Sequence, residues 1–104
     1  MPFNGSEGHP IDPKKAAQWT ANYREANPGA VQSHFMGRDV LFSLLNQGDS
    51  EGIRFYYGLD GTVPQLIAVG ADAAENDQLG DGYLVADEGM AGPPRSGQPS
   101  ILNS

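Results

Sequence analysis

The sequence predicts a small α+β fold, a two-layer domain with two helices packed on an antiparallel sheet of three to four strands. Two stretches with helical spacing of apolar residues precede two strand-like runs in residues 52–72, which a Gly/Pro-containing turn joins. Of the 104 residues, 38% are hydrophobic and 9% aromatic, which is enough for one domain with a modest core. We therefore expect a flexible arm (1–10), a single α+β domain (11–88) and a Gly/Pro/Ser-rich tail (89–104).

The first helix is predicted to begin after Asp12, a favourable N-cap residue. Pro13 then occupies the first turn, where the missing N–H has no helical partner to lose. Trp19 and Tyr23 lie on one stripe of this helix, and we expect both in the core. The segment Asn27-Pro28-Gly29 ends the helix, because proline disfavours helical geometry in the residue before it.

A second, shorter helix is predicted from Gly37 or Asp39 to about Gln47. Short strands are expected within residues 30–36 and 83–87. The buried face of the second helix should consist of apolar residues three and four positions apart: Val40, Leu41, Leu44 and Leu45.

The hairpin in residues 52–72 is the clearest prediction. Both faces of its first strand have bulky side chains, which favours a central strand, and the turn should have about five residues. We expect Ile53, Phe55 and Tyr57 to face the helices, with Ile67 and Val69 on the neighbouring strand. On this assignment Phe55→Ala should cost about 3–5 kcal/mol, the usual loss for a buried phenylalanine.

The charge is unevenly distributed and argues against nucleic acid as a partner. Residues 1–48 are neutral overall, whereas residues 49–104 contain nine acidic residues and two arginines and account for the whole net charge of −7. A polyanion would be repelled, so nucleic acid is not an expected partner. The sequence contains no secretory leader and no apolar run of bilayer length, so we expect no membrane partner and a cytoplasmic location, with non-classical export left open. The absence of cysteine excludes disulfides and thiolate zinc sites.

The acidic segment 72–82 is a candidate metal site, since several carboxylates there could converge on Ca²⁺ or Mg²⁺. The spacing does not follow the EF-hand template, and a solvated loop is the better account of it. The candidate ligands are Asp72, Glu75, Asp77 and Asp81.

Arg54 lies within an aromatic strand, which indicates an arginine that pairs with a carboxylate or stacks on a ring. An anchor for an anionic ligand is the alternative. Tyr56 shares the face of Arg54, and tyrosine is enriched at interfaces because it combines apolar area with a polar tip. We expect Arg54 and Tyr56 to belong to a protein interface. Candidate carboxylate partners of Arg54 are Asp39, Asp72 and Asp87.

His34 is the candidate general base, with Arg38 and Asp39 close in sequence. The sequence contains no nucleophile elbow, no H-E-x-x-H pair and no P-loop. We therefore expect neither an enzyme nor a cofactor.

A longer pattern extends across residues 34–77. It reads Q-x-x-x-x-G-I-R-x-Y-x-x-x-D, a turn, then V-G-x-D followed by N-D, and it falls on Gln47, Gly52, Ile53, Arg54, Tyr56, Asp60, Val69, Gly70, Asp72, Asn76 and Asp77. In this the chain resembles a group of small uncharacterised bacterial proteins. Members often have a cysteine before G-I-R and a C-P-P-x-C segment near the C-terminus, where this chain has Ser50 and G-P-P-R-S. The resemblance implies no established activity, and any thiol chemistry of those relatives is absent here.

These observations predict a small, soluble, non-enzymatic protein that binds another protein or itself, as an accessory or cargo component of a larger bacterial assembly. The contact surface should use a sheet face or edge that the helices leave uncovered, including Arg54 and Tyr56, and the acidic half should steer towards a basic partner. One alternative is a domain that binds a small ligand or a divalent metal through Arg54 or residues 72–81. The third is a hydrolase-like enzyme that uses His34.

Overall fold

A computed structural model of the chain describes residues 2–87, 89–94 and 96–103. Within these residues, a three-stranded antiparallel sheet has the order β2-β3-β4, and β1 and β5 form a separate antiparallel pair. The predicted α+β class is confirmed. In chain order the elements are α1 (Pro13–Ala26), β1 (Ser33–Phe35), α2 (Arg38–Leu45), β2 (Ser50–Asp60), β3 (Val63–Asp72), β4 (Val85–Ala86) and β5 (Met90–Gly92).

The chain divides into two compact units, and each is described by itself. The first comprises residues 1–7 and 36–89 and includes α2 with the three-stranded sheet. The second comprises residues 8–35 and 90–104 and includes α1, β1 and β5. Helix α2 packs against β2 and β3 as expected for a helix on a sheet, whereas α1 belongs to the other unit. The domain boundaries predicted at residues 10 and 88 stay a prediction.

In the second unit, α1 begins as the sequence predicts. The Asp12 carboxylate accepts a hydrogen bond from the Lys14 N–H at 2.9 Å, and Pro13 follows in the first turn. The expected burial of Trp19 and Tyr23 is wrong, since these side chains are 55% and 48% exposed. In the described part of this unit, the other regular elements are strands of three residues, which offer too little apolar surface to enclose two large rings.

The core of the first unit is small and lies between α2 and the sheet. Leu44 and Ala68 are fully buried, and Ala86 of β4 completes the cluster. Val40 and Ile53 pack against it, so the predicted face of α2 is largely confirmed. Leu45 is the exception, because its side chain is 49% exposed.

The hairpin turn is tighter than predicted. Asp60 pairs directly with Val63, so the loop consists of Gly61 and Thr62 alone instead of about five residues. Gly61 has a φ of 63°. A type II′ turn requires this left-handed geometry at its first central position, where glycine adopts it without steric cost.

Strand β2 is an edge strand, which corrects the prediction that it is central. The central strand is β3, which pairs with β2 on one side and with β4 on the other, through Ala68↔Ala86 and Val69↔Val85. Bulk on both faces was a misleading signal, because side chains exposed near the end of a long hairpin can be as large as buried ones.

The register also corrects the predicted faces. Phe55 pairs with Ala68 and Arg54 with Val69, so Ile67 and Val69 share the face of Arg54 and not that of Phe55. On the Phe55 face, the eight residues of α2 extend roughly 12 Å, whereas the eleven residues of β2 extend roughly 36 Å. The helix therefore covers Ile53 but leaves Phe55 48% and Tyr57 95% exposed.

Candidate functional site

The predicted interface residues Arg54 and Tyr56 form a cluster with Asp77, and we call these three residues the Arg54 cluster. Arg54 and Tyr56 alternate along one face of β2, and an isolated bridge between Ala71 and Asp77 brings the following loop back beside β3. The Arg54 guanidinium donates to Asp77 Oδ1 at 2.5 Å, and the Tyr56 hydroxyl donates to Asp77 Oδ2. The partner of Arg54 is thus Asp77, not the proposed Asp39, Asp72 or Asp87.

Two further contacts hold the Arg54 guanidinium. It donates to the Glu75 carbonyl oxygen at 3.1 Å, and its central carbon lies 5.4 Å from the centre of the Phe3 ring. The Arg54 side chain is 30% exposed and that of Asp77 19%, while Tyr56 is 46% exposed. The cluster is therefore only partly accessible, and its one cation is already paired.

The protonation states of the cluster follow from these contacts. The hydrogen bond from Tyr56, reinforced by Arg54, holds the pKa of Asp77 below its ordinary value. The same bond raises the pKa of Tyr56, because its anion would adjoin the Asp77 charge. The bond to Asp77 likewise raises the pKa of Arg54. At neutral pH the cluster therefore consists of a charged Arg54–Asp77 pair and a neutral Tyr56. These contacts hold the 72–78 loop against β2. The cluster contains no activated nucleophile.

The predicted acidic metal ligands do not form one site. Asp77 is engaged by Arg54 and Tyr56, and Asp72 accepts the N–H of Asn76 at 2.9 Å. Glu75 has a φ of 70°, and Asp81 is exposed. Across residues 2–87, 89–94 and 96–103, no group of three or more histidine or acidic side chains is placed to hold a metal ion.

A buried amide network lies on the opposite face of the sheet from the Arg54 cluster, where Gly70 would place a Cβ atom. It was not among the predicted sites. Gln78 is 3% exposed, its Oε1 accepts from Gln47 Nε2 at 2.8 Å, and its Nε2 donates to the Gly48 carbonyl at 2.6 Å. The Gln78 N–H donates to the Gly70 carbonyl at 2.8 Å, and Gln47 Oε1 accepts the Leu84 N–H at 2.7 Å. A glycine inside the V-G-x-D strand was the available signal, because such a glycine often marks a close approach by another group.

The exposed part of β2 is the other notable feature of the first unit. Its side chains are large and apolar or aromatic, and they occupy both faces beyond the reach of α2. We call this set the β2 surface: Phe55 (48% exposed), Tyr56 (46%), Tyr57 (95%) and Leu59 (74%).

The backbone of β2 has a free outer edge, since within the described residues the strand pairs with β3 alone. Asp60 and Val63 close the two-residue hairpin loop, and the closing pair of such a loop is a hydrogen-bonded pair. Along an antiparallel ladder, hydrogen-bonded pairs alternate with non-hydrogen-bonded pairs, whose N–H and C=O groups point away from each other. The Gly70 carbonyl bonds to Gln78 on the β4 side, so the Ile53↔Gly70 pair is not hydrogen-bonded, in agreement with this alternation. The residues whose N–H and C=O groups point outward are therefore Ile53, Phe55, Tyr57 and Leu59.

The remaining candidate positions are less constrained. His34 lies half-buried in β1, in register with Ala91 of β5. An open depression of about 380 Å³ lies beside the Arg54 cluster, and its lining includes the acidic side chains of Glu7 and Glu51. Neither helix in the described part of the chain has the length and apolar character to cross a bilayer.

Comparison with other proteins gives no assignment. No protein-family model, no curated protein and no solved structure matches this chain.

Proposed function

We propose that this chain is a non-enzymatic protein-binding module, an accessory or cargo component of a larger bacterial assembly, and that the β2 surface is its contact site. The observation that supports the proposal is an edge strand with four large exposed side chains in five consecutive positions, Phe55 to Leu59. Exposed apolar patches of this kind mark interaction sites, and unpaired strand edges accept a further strand.

Protein binding accounts for this surface better than ligand binding does. An edge strand binds an extended segment through backbone hydrogen bonds and gains specificity from alternate side chains. A small anionic ligand would have to displace Asp77 from Arg54. The depression beside Arg54 offers it two carboxylates, Glu7 and Glu51, which would repel it.

Arg54 and Tyr56 contribute to this interface in a secondary role. Tyr56 presents its exposed half on one face of the strand, while Phe55 and Tyr57 occupy the other. Arg54 keeps the strand fastened to the 72–78 loop through Asp77. The net charge of −7 favours a basic partner, and association with such a partner should weaken as salt is added.

The test is a comparative pull-down with the full chain. Wild type, Tyr57→Lys and Leu59→Lys are immobilised together with Phe42→Lys, a matched control that places the same lysine at an exposed position of α2 (63% exposed). We expect a protein that wild type and Phe42→Lys retain and that the two β2 variants lose. The captured protein, once purified, should bind wild type at least about tenfold more tightly than Tyr57→Lys.

Circular dichroism confirms that each variant is folded, as expected for substitutions at side chains exposed by 63–95%. Equal recovery by all four chains would contradict the proposal, and so would recovery by none if the chain also fails to associate with itself.

A further inference from the structure

We infer that a second copy of this chain occupies the outer edge of β2, paired antiparallel about a twofold axis at Tyr56. The two three-stranded sheets would then form one six-stranded sheet across the dimer. The inference rests on the proposed function, because it names the occupant of the same surface.

The register follows from the length of the regular edge. A bulge between Ser50 and Gly52 ends the regular ladder at one end of β2, and the turn after Asp60 ends it at the other. The outward-pointing groups between these limits belong to alternate residues from Ile53 to Leu59, and the centre of that segment is Tyr56. Antiparallel pairing about this centre uses all of them, in about eight hydrogen bonds, whereas a shift of the axis by one residue leaves some unpaired.

Side chains are compatible with that register. Phe55 of each copy lies opposite Tyr57 of the other, and Ile53 lies opposite Leu59, so aromatic and aliphatic pairs form on one face. On the other face Tyr56 meets its own symmetry mate and Arg54 lies opposite Gly58, which leaves room for the guanidinium. No acidic residue occurs between positions 53 and 59, so the paired strands bring no like carboxylates together.

The available area indicates a weak dimer. A fully exposed tyrosine such as Tyr57 presents about 200 Å², and the half-exposed Phe55 and Tyr56 about 100 Å² each. With Leu59 included, two copies bury roughly 1,000 Å² in total, the lower limit for a specific interface. Dimerisation should therefore depend on concentration.

The charge gives the dimer a recognisable salt dependence. Each copy has a net charge of −7, so two copies repel one another at low ionic strength. Added salt screens this repulsion and should strengthen the dimer. A complex with a basic partner should respond in the opposite direction.

The first test is sedimentation equilibrium of the full chain from about 10 μM to about 1 mM, a range suited to an interface of this size. We expect the average mass to rise from 11.0 kDa towards twice that value. The rise should be larger at high salt, and Tyr57→Lys should weaken association at least tenfold while Phe42→Lys leaves it unchanged. A monomer throughout this range overturns the inference, as does a dimer that Tyr57→Lys leaves intact.

The second test fixes the register, and it is possible because the chain has no cysteine of its own. Two Tyr56→Cys chains would place their thiols directly opposite at a non-hydrogen-bonded pair, with Cα atoms about 4.5 Å apart and within disulfide range. Two Tyr57→Cys chains would place them diagonally, about 7–8 Å apart. Rapid oxidation of Tyr56→Cys and slow oxidation of the more exposed Tyr57→Cys supports the twofold axis at Tyr56; the reverse order overturns it.

The two proposals can fail separately. If the chain is monomeric but the β2 variants still lose a captured protein, a second copy is not the occupant of this edge. The proposed protein-binding function would then still hold. If the β2 variants affect neither dimerisation nor capture, both proposals are wrong.

Discussion

Gly70 is a position at which a single added methyl group should damage this fold severely. Its backbone is not in the left-handed region, so its conformation does not require glycine. The requirement is space, because a Cβ atom at Gly70 would overlap Gln78 Oε1 and lie 2.8 Å from Gln47 Nε2. Both atoms belong to the buried amide network, so neither can move without breaking a hydrogen bond.

The expected cost of Gly70→Ala combines two effects. Overpacking of a buried site typically costs about 1–3 kcal/mol, and a broken hydrogen bond at buried Gln78 adds about 1–3 kcal/mol. The sum, about 2–5 kcal/mol, is a large part of the 5–15 kcal/mol that is usual for a domain. The melting temperature should fall by at least about 10 °C.

Urea denaturation followed by circular dichroism measures this cost. The matched control is Gly58→Ala, since a Cβ atom there would meet Ile67 Cγ1 at an ordinary 3.7 Å, and it should change stability by less than about 1 kcal/mol. Combining Gly70→Ala with Gln78→Ala removes the obstructing side chain, so the double variant should lose over 1 kcal/mol less than the sum of the single losses. Additive losses, or a Gly70→Ala variant as stable as Gly58→Ala, would refute the packing argument.

Three further predictions follow from burial and pairing in the first unit. Leu44→Ala, at the fully buried centre of the core, should cost about 3 kcal/mol in urea denaturation, and a loss under 1 kcal/mol would contradict the assigned core. Phe55→Ala should cost only about 1–2 kcal/mol by the same assay, because half of its side chain is already exposed; a loss above 3 kcal/mol would restore the buried assignment. The pKa of Asp77 is lowered from its ordinary 3.8 in the fold, so this carboxylate contributes stability above about pH 4 that is lost as the pH falls through the folded-state pKa. Asp77→Asn should therefore be less stable than wild type at pH 7, with a smaller difference at pH 3; a difference independent of pH would show that the ion pair with Arg54 is not the cause.

Local signals in the sequence were sufficient for the two helices and the hairpin, but not for β5, which lies in the segment expected to be a Gly/Pro/Ser-rich tail. The carboxylate of Asp12 and the fixed φ of Pro13 determine where α1 begins, and both act within one helical turn. The hairpin and the buried side of α2 follow from residue spacing in the same way, since neighbouring apolar positions define a face.

The contacts between these elements could not be predicted, because they join residues that are far apart in the sequence. Arg54 and Asp77 are 23 residues apart, and Gln47 and Gln78 are 31 residues apart. Several carboxylates could have paired with Arg54, and nothing in the spacing selected Asp77. Only the register of β2 on β3, together with the bridge from Ala71 to Asp77, determines which one is within reach.

The position of β2 at the sheet edge also could not be predicted from the sequence. Large side chains on both faces are typical of a strand covered on both sides, but they also occur where a hairpin extends beyond its helix. Strand order and the short length of α2 distinguish these cases, and both are properties of the assembled fold.

Residue-resolved amide hydrogen exchange of β2 tests the proposed binding edge most directly. In dilute protein the outward amides of Phe55, Tyr57 and Leu59 should exchange rapidly, while those of Arg54 and Tyr56, bonded to β3, should be protected. Raising the protein concentration, or adding the captured partner, should slow exchange at the three outward amides specifically. Outward amides that are protected in the dilute chain, or that remain equally fast when the chain is bound, would contradict β2 as the binding edge.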